Sequence, residues 1–158
     1  MVSVLFVCLG NIYRSPTAHG VLEKKVQSLG LQDKIRVDSA GTGAWHINEP
    51  ADARSQAEAL DKGYDLSHLR ARQVVNQDFQ EFDYILAMDF DNLYDLQSRC
   101  VYPAQLERVA LFLSYSEDES EEVPDPYSSD KVGFSHALAL IESAADGLLA
   151  SLIQKHNL

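Results

Sequence analysis

The first apolar run, Val2 to Val7, is almost unbroken and rich in β-branched residues, the pattern of a strand buried on both faces. It stops at Cys8. Gly10 and Asn11 follow, both tolerant of positive φ, and predict a tight curl of the backbone. Ser15-Pro16 then reads as a helix opening, with Ser15 at the N-cap and Pro16 at the first helical position, where a missing N–H costs nothing. From Pro16 to Leu29 the apolar residues Ala18, Val21, Leu22, Val26 and Leu29 share one helical face, and Gly30 closes it.

The rest of the chain alternates in the same way. Ile35 to Ala40 predicts a second strand, followed by a Gly41-Thr42-Gly43 turn and a loop to Pro50. Asp52 to Lys62 predicts a helix ended by Gly63, and a polar loop runs to about Asn76. A short helix over Asp78 to Phe82 leads into a third strand, Tyr84 to Met88, and a helix over Asp91 to Arg99. Arg108 to Leu113 predicts a fourth strand and Ser114 to Lys131 a long loop. In the terminal helix Phe134, Leu138, Ile141, Ala145, Leu148 and Leu152 recur at helical spacing. Strands alternating with helices imply an α/β fold, a doubly wound parallel sheet with helices on both faces. Ligands of such sheets bind beyond the carboxyl ends of the strands, and Cys8 stands at one of those ends.

Length and composition narrow the picture. At 158 residues the chain is a single domain, 1–158, able to bury a core without disulfides or metal. The formal net charge of −11 argues against a nucleic-acid binder, which needs a basic face. There are two cysteines, no C-x2-C, and no His pair at ligand spacing, so no metal site and no cofactor are expected. The apolar start lacks a basic n-region and reads as a strand rather than an export signal. No apolar run is long enough to span a bilayer, so no membrane partner is expected. A monomer or weak dimer is expected.

The chemistry is concentrated between Cys8 and Pro16. A thiol at the end of a buried strand, a curled loop and a helix N-terminus make an anion pocket, because consecutive amides point inward and the helix dipole adds partial positive charge. Arg14 adds a planar fork matched to phosphate oxygens. The same field favours thiolate over thiol, and a thiolate touching a phosphoryl group is a nucleophile in position. The pocket's own dipoles and Arg14 set the local potential, while the global negative charge acts through screened distances. A reduced Cys8 implies a cytoplasmic location. Expulsion of an alkoxide or phenoxide requires a proton donor, and Asp125, fixed between Pro124 and Pro126, is the candidate, although Asp-Pro is equally an ordinary turn starter. Ser15 could either cap the helix or donate to the Cys8 sulfur, and Asn11 is expected in a left-handed conformation that neighbours must hold.

The stretch CLGNIYRSP resembles the signature of the low-molecular-weight protein tyrosine phosphatases, in which C-x5-R-S follows the first strand. VDSAGTGAWHINEPAD, GYDLSHLRARQV, FDYILAMDFDNL and EVPDPY are similar to further blocks of that family, in family order, so the resemblance covers essentially the whole chain. It implies four parallel strands in the order 2-1-3-4. It implies a cysteine-dependent phosphatase that hydrolyses phosphotyrosine, or another aryl phosphate, in protein substrates through a cysteinyl-phosphate. Cys8 would be the nucleophile, Arg14 the phosphate clamp, Asp125 the general acid and base, and Ser15 a donor to the sulfur. Leu9, Gly10, Asn11, Ile12 and Tyr13 would line the phosphate site, Ser39 and His68 would bond around Asn11, and Trp45 and Tyr127 would flank the entrance. Ile12 favours phosphotyrosine, since similar phosphatases acting on phosphoarginine carry Thr near that place.

Two departures and two rival functions belong beside this. Tyr13 stands where many relatives have a second cysteine able to form a disulfide with the nucleophile, and Ser128 where several have a second tyrosine. Cys100 reads as a small buried residue. An arsenate reductase shares this fold and loop, but its relay needs further cysteines. A non-catalytic phosphopeptide-binding module would be expected to lose the nucleophile or the acid, and this chain keeps both. The acidic run Ser116 to Glu122 reads as a solvated, flexible loop.

Overall fold

Seven consecutive buried residues, Val2–Cys8, form the central strand β1 of the computed structural model, which describes residues 1–125 and 131–158. The unbroken apolar run follows from two cores. Val2, Val4, Phe6 and Cys8 enter one, and Leu5 and Val7 enter the other. β2 (Ile35–Gly41) and β3 (Tyr84–Ala87) pair with β1 on either side, and β4 (Val109–Leu111) lies outside β3. All pairings are parallel and the order is 2-1-3-4, as expected.

α1 (Arg14–Ser28), α2 (Ala53–Asp61) and α6 (Lys131–His156) cover the face that receives Cys8. α3 (Asp78–Glu81) and α4 (Phe90–Arg99) cover the other. α5 (Pro103–Leu106) was not predicted. It is made by Pro103 at its start and by Gln105, whose Oε1 accepts from the Val101 and Tyr102 amides at 2.7 and 3.2 Å. β4 is shorter than the apolar run over Arg108 to Leu113 suggests. Phe112–Tyr115 winds instead into a 3-10 turn that seats Phe112 edge-on against Phe6, with ring centroids 4.8 Å apart.

Two local expectations at the first loop are corrected. α1 starts at Arg14 rather than Pro16, its N-cap is Tyr13 with no side-chain cap, and Ser15 is its second residue. Ser15 therefore does not cap the helix. Pro16 still sits within the first turn, where its missing N–H is harmless. Of Gly10 and Asn11, Asn11 alone turns left-handed, at φ 54°.

Among the described residues α6 is one helix long and apolar enough, by length and composition, to cross a bilayer, which corrects the expectation that no apolar run is long enough. Here it serves as a core helix. Leu138, Ile141, Ala145, Leu148 and Leu152 are buried with α1 and the sheet. It passes the 3-10 turn so closely at Gly147 that a Cβ there would lie 1.9 Å from the Tyr115 carbonyl oxygen.

Candidate active site

The register of the sheet brings the candidate residues together. Val7 pairs with Ala87 and Cys8 with Gly41, so the segments leaving β1, β2 and β3 all emerge at one edge. The loop after β1 is pinned beneath the loop after β2, because the Thr42 and Gly43 amides donate to the Cys8 and Leu9 carbonyls, each at 2.9 Å.

Cys8 is 2 % exposed. Among the described residues two groups bond to its sulfur. The Asn11 N–H donates to Sγ at 3.3 Å, and Ser15 Oγ lies 3.0 Å away. Ser15 Oγ also accepts from Asn11 Nδ2 at 2.7 Å, which leaves its own proton to donate. The sulfur is nearer to it than the Ala40 carbonyl oxygen at 3.4 Å. Of the two tasks the sequence left open for Ser15, the geometry supports the one at the sulfur.

The strained Asn11 is held from a side that the sequence reading missed. Its Oδ1 accepts from the Arg72 N–H at 3.0 Å. The Arg72 guanidinium in turn spans Asp38, at 3.1 Å, and Asp78, at 3.0 Å. Burial disfavours its charge, but the bonds and fields of Asp78 and Asp38 outweigh that and push its pKa up. Ser39 and His68, expected to bond around Asn11, bond to His19 and Glu23 instead. Ser39 Oγ lies 3.0 Å from His19 Nδ1, and His68 is an exposed side chain 3.3 Å from Glu23 Oε1. Glu23 lies between the two histidines; its bond to His19 first, against burial, holds its carboxyl below the usual range. The physical reason is register. Ser39 on β2 looks onto α1, where His19 intervenes before the loop is reached.

Arg14 is the second buried functional group, 4 % exposed. Nη1 donates to Asp89 Oδ2 at 2.7 Å and to the Val123 carbonyl at 3.0 Å, and Nη2 lies 4.0 Å from Asp125 Oδ2. Asp89 was not singled out from the sequence, where a carboxylate between a strand and a helix looks like a cap and nothing more. It is a cap: Oδ1 accepts from the Asn92 N–H at 2.7 Å. Its other oxygen fixes the fork.

Above these groups lies a cleft of about 230 Å³, lined by the loop from Cys8 to Arg14, Asn11 excepted, together with Trp45, His46 and Asp125. Leu9 and Ile12 form apolar wall. Trp45 is 70 % exposed, and its ring lies over Gly43, where a Cβ would come within 2.1 Å of it. Tyr127, the other expected rim residue, and Ser128 lie outside the described residues. Asp125 is at the mouth, with half of its side chain exposed. Cys100 is half-buried against the opposite core, and burial pushes its thiol up. The acidic run is tied at both ends. Ser116 Oγ lies 3.0 Å from Ser143 Oγ, and Glu122 accepts from the Phe90 N–H at 3.0 Å.

Comparison with known proteins agrees with this geometry. Residues 3–158 match the model of the family described as low molecular weight phosphotyrosine protein phosphatase. The chain is 40 % identical to the Bacillus subtilis low molecular weight protein-tyrosine-phosphatase YfkJ, over all of both chains. It is 41 % identical to the human low molecular weight phosphotyrosine protein phosphatase, over 84 % of each. A crystal structure of a protein tyrosine phosphatase from Entamoeba histolytica, with Hepes in its active site, superposes with a TM-score of 0.93 at 36 % identity, over all of both chains.

Proposed function

The chain belongs to the low molecular weight phosphotyrosine protein phosphatase family, and we propose that it hydrolyses phosphotyrosine through a phosphate ester of the Cys8 sulfur. The observation that carries this reading is the Cys8 sulfur, faced by the Asn11 N–H and the Ser15 hydroxyl beneath a cleft that also holds Arg14 and Asp125. In the first step the thiolate attacks phosphorus from the floor of the cleft, the bond to the tyrosine oxygen breaks, and Asp125 gives its proton to that oxygen. In the second step Asp125, now a carboxylate, takes a proton from water. The hydroxide attacks phosphorus, the S–P bond breaks, and inorganic phosphate leaves with the thiolate restored. The Arg14 fork and the amides of the curled loop hold the equatorial oxygens in both steps. Ser15 supports the thiolate as leaving group.

The two cysteines bear on the reductase reading. Cys8 belongs to the core beneath α1 and α6, whereas Cys100 packs against the opposite core, beyond the sheet. This arrangement favours hydrolysis, completed by water in a cytoplasmic, reducing setting, over a thiol relay.

The test is a substrate panel. Phenyl phosphate and a phosphotyrosyl peptide are expected to turn over, with the matched phosphoseryl peptide about 100-fold slower in kcat/KM. A short phosphoserine does not carry its phosphorus to the depth of Cys8. Equal turnover of both peptides, or none of any substrate, would remove the reading.

Asp89 gives a second expected result. Asp89→Asn keeps a side chain that caps α4 but replaces the charged partner of Arg14. kcat on phenyl phosphate should fall about tenfold as the fork loses its orientation. KM should not rise, since a negative charge has left the neighbourhood of the substrate dianion. Asp89→Ala should add a stability loss of about 1 kcal/mol from the missing cap, read from urea melts.

A further inference from the structure

Tyr13 belongs to the phosphate loop, yet its side chain has no part in the steps above. It is 5 % exposed, and its ring stacks on Phe134 with centroids 4.8 Å and planes 21° apart. Phe134 lies in the first turn of α6. The Arg54 guanidinium, from the first turn of α2, covers both rings at 5.8 and 5.1 Å from their centroids. Ser135, next along α6, donates to Glu58 of α2. The phosphate loop, α2 and α6 therefore meet at one aromatic pair.

In the chain Asp125 lies between Val123 and α6. On its N-terminal side the Val123 N–H donates to the Met88 carbonyl at 2.8 Å, and the Val123 carbonyl accepts from Arg14 at 3.0 Å. On its C-terminal side the next described element is α6, whose first turn sets Phe134 on Tyr13. The electrostatics agree with this proximity. The Tyr13 phenol is pushed up to about 12 by burial first, then by the Asp52 carboxylate, with Arg54 opposing, and by the Asp125 carboxylate.

We propose that the Tyr13–Phe134 stack, clamped by Arg54, is a positioning contact that sets the Asp125 carboxyl over the leaving oxygen. The proposal rests on Asp125 acting as the acid and deepens that reading. A misplacement of about 1 Å in a reacting group can cost about 10²-fold in rate, so a contact remote from phosphorus has room to matter.

The test is the dependence of kcat/KM on the leaving group, which reports the step that forms the cysteinyl-phosphate. With a working acid, phenyl phosphate and dinitrophenyl phosphate should differ little, because the poor leaving group receives a proton. Phe134→Ala should lose about tenfold on phenyl phosphate, a fraction of the 10²- to 10⁴-fold that a positioned acid supplies. On dinitrophenyl phosphate, whose leaving group needs no proton, it should lose no more than about twofold. Phe134→Tyr, which keeps the ring, should restore the wild-type pattern. Equal losses on both substrates would mean only that less protein is folded, and would overturn the proposal, as would an unchanged pattern. Asp125→Ala is the reference. If it fails to steepen the dependence, the acid assignment falls and takes the proposal with it; if it steepens the dependence while Phe134→Ala does not, the proposal alone falls.

Discussion

Cys8→Ser is expected to leave a folded protein that binds phosphate and turns over aryl phosphates roughly 10⁴-fold more slowly or worse, the scale of loss when a covalent nucleophile is removed from a set of cooperating groups. The substitution is nearly isosteric at a site 2 % exposed, and the replacement hydroxyl still meets the Asn11 N–H and the Ser15 hydroxyl. What disappears is ionisation. An alcohol stays neutral at working pH where a thiol can become a thiolate, and the two donors at the sulfur have no anion to hold. The measurement is a pair: phosphate binding by calorimetry, and release of p-nitrophenol from its phosphate ester. Retained binding with lost turnover supports the sulfur as nucleophile. Residual activity of a few per cent of wild type, verified free of contaminating phosphatase, would exclude it.

Asp125→Ala is the second large effect, and its sign differs between binding and rate. The side chain is half exposed, so the substitution should cost little stability, within about 0.5 kcal/mol. Turnover of phenyl phosphate should fall by about 10²- to 10⁴-fold, the contribution of a positioned general acid. Phosphate binding should strengthen slightly, because the carboxylate removed lies 4.0 Å from the Arg14 fork that binds the same anion. A variant that bound phosphate more weakly and reacted at the wild-type rate would reverse the assignment. The contrast also separates a catalytic carboxyl from a structural one, since a purely structural residue would move stability before it moved the rate.

Much of this was legible along the chain for local reasons. The strand through Val7, the curl at Asn11 and the arginine six places after Cys8 depend on residues close in sequence, and a loop of that kind carries its chemistry in a few consecutive backbone amides. The alternation of strands and helices fixed the class of sheet in the same way. The boundaries shifted where local preference met packing. Ser15 is a good cap by type, but the loop drives α1 to begin at Arg14, so the hydroxyl ends up against the sulfur instead.

The partners of these residues were another matter. Nothing near Arg14 in the chain names Asp89, which is 75 residues away and arrives beside it because β3 lies next to β1. Arg72 reaches Asn11 across 61 residues, while Ser39 is turned to His19 by its place on β2. Tyr13, an anomaly when read in a loop, becomes the seat of α6 once Phe134 is placed upon it. The sequence by itself determined the parallel sheet, because periodicity encodes it, and its resemblance to a known family singled out the loop after the first strand. Only the tertiary structure decided which distant carboxylates and amides hold that segment in its geometry, because strand register, and not spacing along the chain, sets who meets whom.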